Sequence, residues 1–215
     1  RIVVSYDGRG YFGWQRLRDK PTIQGALEGA ITAAFGESVA VEGAGRTDRA
    51  AHAEGQVATF RLDADVSGDA LRDRLNEALP ADIRIVDGAT AEPGFHARTS
   101  AIGKDYEYRI ANRPRLSPKH EGRVWHVRRG TLDTHAMAAA LPALVGEHDF
   151  ASFATPSKHA HGPTTRDMQA CELDASGDLI VLRFRANSFL THMVRNLVRA
   201  IVKVGEGKHR PERIA

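Results

Sequence analysis

This chain has one cysteine, no long apolar run and no histidine pair at metal-ligand spacing, and each shortage closes off a class of protein. Cys171 has no partner for an internal disulfide and offers no set of thiolates to a metal. No apolar stretch approaches the roughly 20 residues needed to span a bilayer. No charged segment leads into the apolar core of a secretory signal. The ten histidines contain no H-x-x-x-H or H-E-x-x-H pair, and no G-x-S-x-G elbow supports a Ser-His-Asp site. His159 and His161 fall in a polar stretch, Pro156 to Pro163, that reads as an exposed loop. A reducing cytoplasm is the expected home.

What remains fits a soluble globular protein. The chain has 215 residues, 42% of them hydrophobic and 27% charged, enough for one large domain or two small ones. The formal net charge is +3, carried by 24 Arg against 6 Lys. Arginine offers a planar fork of donors suited to phosphate and to stacking on bases, so nucleic acid is a reasonable partner. An arginine-biased genome explains the same count equally well.

Periodicity divides the chain into alternating elements. Arg1 to Tyr6 reads as a strand ended by Asp7-Gly8. From Thr22, a good N-cap, apolar residues recur at Ile23, Ala26, Leu27, Ala30, Ile31 and Ala34, the spacing of an amphipathic helix. Glu37 to Glu42 and Gln56 to Leu62 are strand candidates. Ser67 caps a second helix through Leu71, Leu75 and Leu79, ended by Pro80, and Ile83 to Val86 continues as a strand. This β-α-β-β-α-β order is the split pattern of ferredoxin-like units. Pro93 to Ile102 reads as a connection. Strands are then expected near Tyr106 to Ile110 and Val124 to Val127, and a helix over about Asp133 to Val145. His148-Asp149 reads as a turn. Two strands follow at about Arg166 to Leu173 and Leu179 to Arg185, and a last helix at about Phe189 to Val204. The expected class is α+β.

Gly8-Arg9-Gly10-Tyr11-Phe12-Gly13 matches G-x-G-x-x-G, but Trp14 to Pro21 intervene before helical periodicity starts. A dinucleotide site needs the glycines to open the helix directly, so a glycine-rich turn at the edge of the sheet is expected instead. Asp48 follows Arg46-Thr47 in a loop of small residues, where it serves either as a catalyst or as a turn aspartate satisfying backbone donors. On a strand, Lys104, Tyr106 and Tyr108 share one face, which suits either base stacking or ordinary aromatic packing. Arg195 interrupts the apolar pattern of the last helix, in a stripe with His192 and Arg199. Cys171, inside an expected strand, reads as a small buried side chain.

Eight segments in order resemble the TruA-type tRNA pseudouridine synthases along nearly the whole chain. They are Tyr6-Asp7-Gly8 with Phe12-Gly13-Trp14-Gln15, Thr22-Ile23-Gln24-Gly25, Gly45-Arg46-Thr47-Asp48 with His52-Ala53, and Phe95-His96-Ala97-Arg98. Lys104-x-Tyr106-x-Tyr108, Gly146-x-His148-Asp149-Phe150, Phe189-Leu190-x-x-Met193-Val194-Arg195-Asn196 and Val204-Gly205-x-Gly207 complete the set. The resemblance implies a pseudouridine synthase fold, two ferredoxin-like halves sharing a mainly antiparallel central sheet with a cleft between them. The halves would be residues 1–92, carrying the Asp48 loop, and 103–215, joined by 93–102. It implies a cofactor-free and metal-free isomerase that converts uridines at tRNA positions 38 to 40, works as a homodimer and contacts the anticodon arm. It casts Asp48 as the nucleophile or sugar-directed base, Arg195 as its ion-pair partner, and Tyr106 as the ring stacked on the target uracil. Arg46 would help extrude the nucleotide, and Lys104 and Arg98 would contact phosphate. A non-catalytic RNA-binding or chaperone module on the same scaffold is the alternative.

This chain departs from the family pattern in four places. Ala50-Ala51 stands where Gly-Val is usual, so a left-handed backbone there would strain the loop that aims Asp48. Arg199 stands where a glycine is common, Ser188 and Thr191 vary the surroundings of the last helix, and the family's last strand is expected to be missing beyond Ala215.

Overall fold

The computed structural model describes residues 1–128, 130–156 and 162–214. His159 and His161 lie outside the described residues. The chain divides into two compact units, Arg1–Ala101 and Ile102–Ala215. No described helix is long and apolar enough to cross a membrane.

The first unit runs β1 (Ile2–Tyr6), α1 (Ile23–Phe35), β2 (Glu42–Gly43), β3 (Ala53–Thr59), α2 (Gly68–Ala78) and β4 (Ile83–Gly88). This is the expected β-α-β-β-α-β order. The four strands form one antiparallel sheet in the order β2-β3-β1-β4. The period-two pattern of β1 buries Ile2, Val4 and Tyr6 against the helices. Thr22 caps α1 by accepting from the Gly25 N–H, and Gly36 ends it at φ 73°. Ser67 caps α2 by accepting from the Ala70 N–H.

The second strand is much shorter than the expected Glu37 to Glu42. Side chains take the backbone donors that a longer ladder would use or flank. The buried Glu28 carboxylate accepts the Val41 N–H, and the Glu37 carboxylate accepts those of Asp63 and Ala64. β1 lies inside the sheet rather than at its edge, so the glycine-rich turn, Gly8–Gly10, follows an inner strand.

The second unit contains β5 (Lys104–Asn112), β6 (Trp125–Val127), α3 (Thr134–Ala139), β7 (Gly146–Asp149), β8 (Thr165–Asp174), β9 (Ile180–Ala186) and α4 (Met193–Gly205). Its sheet order is β6-β5-β9-β8-β7, antiparallel except for the parallel β5–β6 pair. α4 packs Met193, Leu197, Val198 and Ile201 onto Ile110, Met168, Leu182 and Phe184. Each such side chain contributes about 1.5–3 kcal/mol when fully buried.

Three expectations are corrected here. The helix expected to reach Val145 ends at Ala139. Pro142 lacks the N–H that would continue it and opens a short 3-10 turn, Pro142–Leu144. The last helix starts at Met193, not Phe189, because His192 takes a left-handed φ of 58° that no helix can pass through. His148-Asp149 is strand, not turn: the pair is zipped to Arg166 and Thr165 of β8. Cys171 is half-buried on β8, and burial pushes its thiol up to about 12.

Candidate active site

The Asp48 turn is held in place by main-chain bonds. Trp14 donates its N–H to the Thr47 carbonyl (3.0 Å), and Ala50 donates to the Tyr11 carbonyl (3.2 Å). The Tyr6 hydroxyl lies 2.8 Å from Thr47 Oγ1, and the Gln56 amide donates to the Gly45 carbonyl. The turn is closed by the Ala51 N–H on the Asp48 carbonyl (3.1 Å). Main-chain bonds and the Tyr6 and Gln56 side chains therefore hold the turn on both flanks.

Two glycines of the Gly8–Gly13 pattern make this contact possible. A Cβ on Gly8 would sit 1.9 Å from the Ala51 carbonyl oxygen, and one on Gly13, at φ 97°, would sit 2.6 Å from that of Thr47. Only a bare backbone fits between β1 and the Asp48 turn. The G-x-G-x-x-G pattern is a cradle for another stretch of chain, which its spacing alone did not reveal. Ala50 stands at φ 61°, so the usual glycine position is left-handed here and carries a side chain.

A charged cluster fixes the far end of the turn. The Arg9 guanidinium grips Asp7 with two prongs, Nε to Oδ1 at 2.9 Å and Nη2 to Oδ2 at 2.7 Å. These bonds hold the Asp7 carboxyl down at about 2, against the opposing effect of burial. His52 Nδ1 lies 3.3 Å from Asp7 Oδ1. The imidazole four residues after Asp48 is thus tied to the end of β1. Neither Asp7 nor His52 was singled out from the sequence beyond its place in a motif.

The remaining candidates fall as follows. Asp48 is half-buried and Arg46 exposed in the same turn. Arg98 is exposed, in a turn pinned to the sheet by the Ala97 N–H on Thr59 Oγ1 and by the contact of His96 Nε2 with the Glu42 carboxylate. These three belong to the first unit. Lys104, Tyr106 and Arg195 belong to the second. β5 pairs Lys104 with Ala186, Tyr106 with Phe184 and Tyr108 with Leu182, all three partners buried. Tyr106 meets the edge of Phe189 with ring centroids 4.8 Å apart, a contact the sequence did not announce. Burial raises the Tyr108 phenol, and the positive charge of Arg195 opposes that rise, so Arg195 shares this neighbourhood. Arg195 is exposed on the first turn of α4, and Arg199 is exposed one turn later. His192, expected in the same stripe, is the left-handed residue before the helix, with Nδ1 3.0 Å from Thr155 Oγ1. Among the described residues, no group of three or more His, Cys, Asp or Glu is placed to hold a metal ion.

Asp48 therefore stands in a clamped turn of the first unit, and Tyr106 and Arg195 stand on β5 and α4 of the second. Comparison with known proteins identifies the class. A family model described as tRNA pseudouridine synthase matches residues 2–98 and 140–215. The chain is 41% identical over 215 residues to tRNA pseudouridine synthase A of Sinorhizobium fredii, covering 99% of this chain and 86% of the relative. It is 40% identical over 215 residues to the protein of the same name from Geobacter sulfurreducens, covering 100% and 87%. With that from Methylacidiphilum infernorum it shares 39% over 209 residues, covering 97% and 81%. The chain belongs to the tRNA pseudouridine synthase family and is an isomerase.

Proposed function

We propose that this chain converts uridine to pseudouridine in the anticodon stem-loop of tRNA, at positions 38 to 40. The observation that carries the reading is the Asp48 turn, seated by bare glycine backbone and main-chain bonds within a chain that aligns with its relatives almost end to end. The conversion moves no electrons to or from a partner. The N1–C1′ bond breaks, the uracil turns, C5 bonds to C1′, N1 gains a proton and C5 loses one. Asp48 either attacks C1′ or takes a proton from the sugar to form a glycal. Tyr106 stacks on the uracil and helps remove the C5 proton. Arg195 aligns Asp48. A cation in the first turn of α4 opposes the helix dipole, which favours an anion beside it. Arg46 extrudes the nucleotide, at a cost of a few kcal/mol for unstacking, and Lys104 and Arg98 hold phosphate.

In this reading each unit is a ferredoxin-like half, residues 1–92 and 103–215 joined by 93–102. The enzyme is a cytoplasmic homodimer that needs no cofactor. The test is release of tritium from C5-labelled uridine in unmodified tRNA. Asp48→Ala abolishes release while keeping most tRNA affinity, and undiminished turnover in that variant refutes Asp48 as catalyst. The left-handed Ala50 favours a second reading, a strained loop on a module that binds RNA without isomerising it. Pseudouridine detected after a single turnover eliminates that reading.

A further inference from the structure

We infer that Phe12, Lys20 and Arg49 form a phosphate subsite beside the Asp48 turn, occupied by the RNA backbone next to the target nucleotide. The inference rests on the reading that tRNA is the substrate. Lys20 Nζ lies 4.6 Å and Arg49 Cζ 4.5 Å from the centroid of the Phe12 ring. Both cations are exposed, and the ring they share is half-buried. Their charged groups are therefore no more than about 9 Å apart, close to one screening length at physiological salt. Each gains from the ring, and each repels the other.

Among the described residues neither cation has a carboxylate at ion-pairing distance. Asp19, beside Lys20 in the chain, pairs with Arg18 at 3.9 Å. An anion placed by the ring would relieve the repulsion.

All three residues are held by backbone. Phe12 donates its N–H to the Pro21 carbonyl (2.9 Å). Lys20 is fixed by its bridge to Leu17 across a two-residue turn in which Asp19 takes φ 58°. Arg49 lies inside the clamped turn, next to Asp48, where the Ala50 N–H meets the Tyr11 carbonyl. A site organised before binding spends little ordering energy on capture.

Position selects the anion. A nucleotide whose C1′ reaches the Asp48 carboxylate carries its own phosphodiesters a few bonds away, within range of the adjacent side chain. Arg49 matches a phosphate with its planar fork, and Lys20 with a point charge. The bound groups are phosphodiesters of the strand that enters the site, not free phosphate.

The test is the salt dependence of binding to labelled unmodified tRNA, measured alongside pseudouridine formation by the wild type. Arg49→Gln and Lys20→Gln each reduce the steepness of log Kd against log salt by about 0.7–0.9, and the double substitution by about twice that. Arg49→Lys retains the wild-type slope. Arg18→Gln, an exposed cation of the same segment paired with Asp19, serves as the control and leaves the slope alone. Far-UV circular dichroism verifies folding of each variant. Wild-type slopes in both glutamine variants, with binding and isomerisation intact in the wild type, overturn the subsite and spare the function. A wild type that neither binds nor isomerises tRNA removes the function and the subsite with it.

Discussion

Ala50 offers the sharpest test of how the Asp48 turn is built. Its φ of 61° places a Cβ where only glycine is comfortable. For an L-residue that conformation costs roughly 1–2 kcal/mol. Ala50→Gly removes the cost but frees the unfolded chain, which takes back about 0.4–1 kcal/mol. Ala50 is exposed, so losing its methyl group forfeits little packing. The net expectation is a gain of about 0.5–1 kcal/mol. Ala51, one residue on and outside the left-handed region, supplies the opposite sign: Ala51→Gly loses about 0.4–1 kcal/mol. Urea melts of the three proteins at neutral pH measure both, read as shifts in midpoint at constant m-value. In a thermal scan the Ala50→Gly gain amounts to about 2–4 °C per kcal/mol for a chain of this size. A lower midpoint for Ala50→Gly, or the same sign for both substitutions, would refute the strained turn.

Three further outcomes follow from the same geometry. Gly13→Ala sets a methyl group 2.6 Å from the Thr47 carbonyl oxygen at φ 97°, so it costs about 2–4 kcal/mol in urea melts and slows isomerisation by displacing the Asp48 turn. Asp7 has its folded pKa depressed to about 2 by Arg9, so its stabilisation is full above the unfolded value near 4 and fades as pH falls towards 2. The stability gap between wild type and Asp7→Asn is then about 1 kcal/mol at pH 6, after allowance for solvent screening, and shrinks steadily in melts taken towards pH 2.5; a gap independent of pH contradicts the pairing. Tyr106→Phe keeps the ring edge on Phe189 and the affinity for tRNA, yet lowers the single-turnover rate by about 10²–10⁴ if the phenol handles the C5 proton. An unchanged rate assigns that proton to another group.

Much of this architecture is legible in local pattern. The apolar repeat after Thr22, the caps at Thr22 and Ser67 and the alternation along Ile2–Tyr6 depend on residues a few positions apart, and the structure repeats them. The errors fall where distant chain decides. His148-Asp149 has turn composition but becomes strand because β8 supplies partners for its backbone. Glu37 to Val41 has the look of a strand, yet carboxylates from Glu28 and Glu37 capture backbone donors along and beyond it. Phe189 and Leu190 continue a helical pattern, but the left-handed His192 cuts the helix off below them.

The candidate site divides in the same way. Order and spacing of short motifs were enough to name the family to which the chain belongs, and they made Asp48, Tyr106 and Arg195 the candidates. Motifs are strings, however, and carry no information on what lies 40 residues away across a sheet. That Gly8 and Gly13 must be bare to seat the Asp48 turn, that Arg9 and Asp7 anchor His52, and that Lys20 and Arg49 both approach one phenyl ring depend on segments distant in sequence packing within a few ångströms. Composition and periodicity set the elements, because helix and strand are local bargains between backbone and nearest side chains. The seat of the Asp48 turn is set by close contact and shared charge, which exist only once the chain has folded.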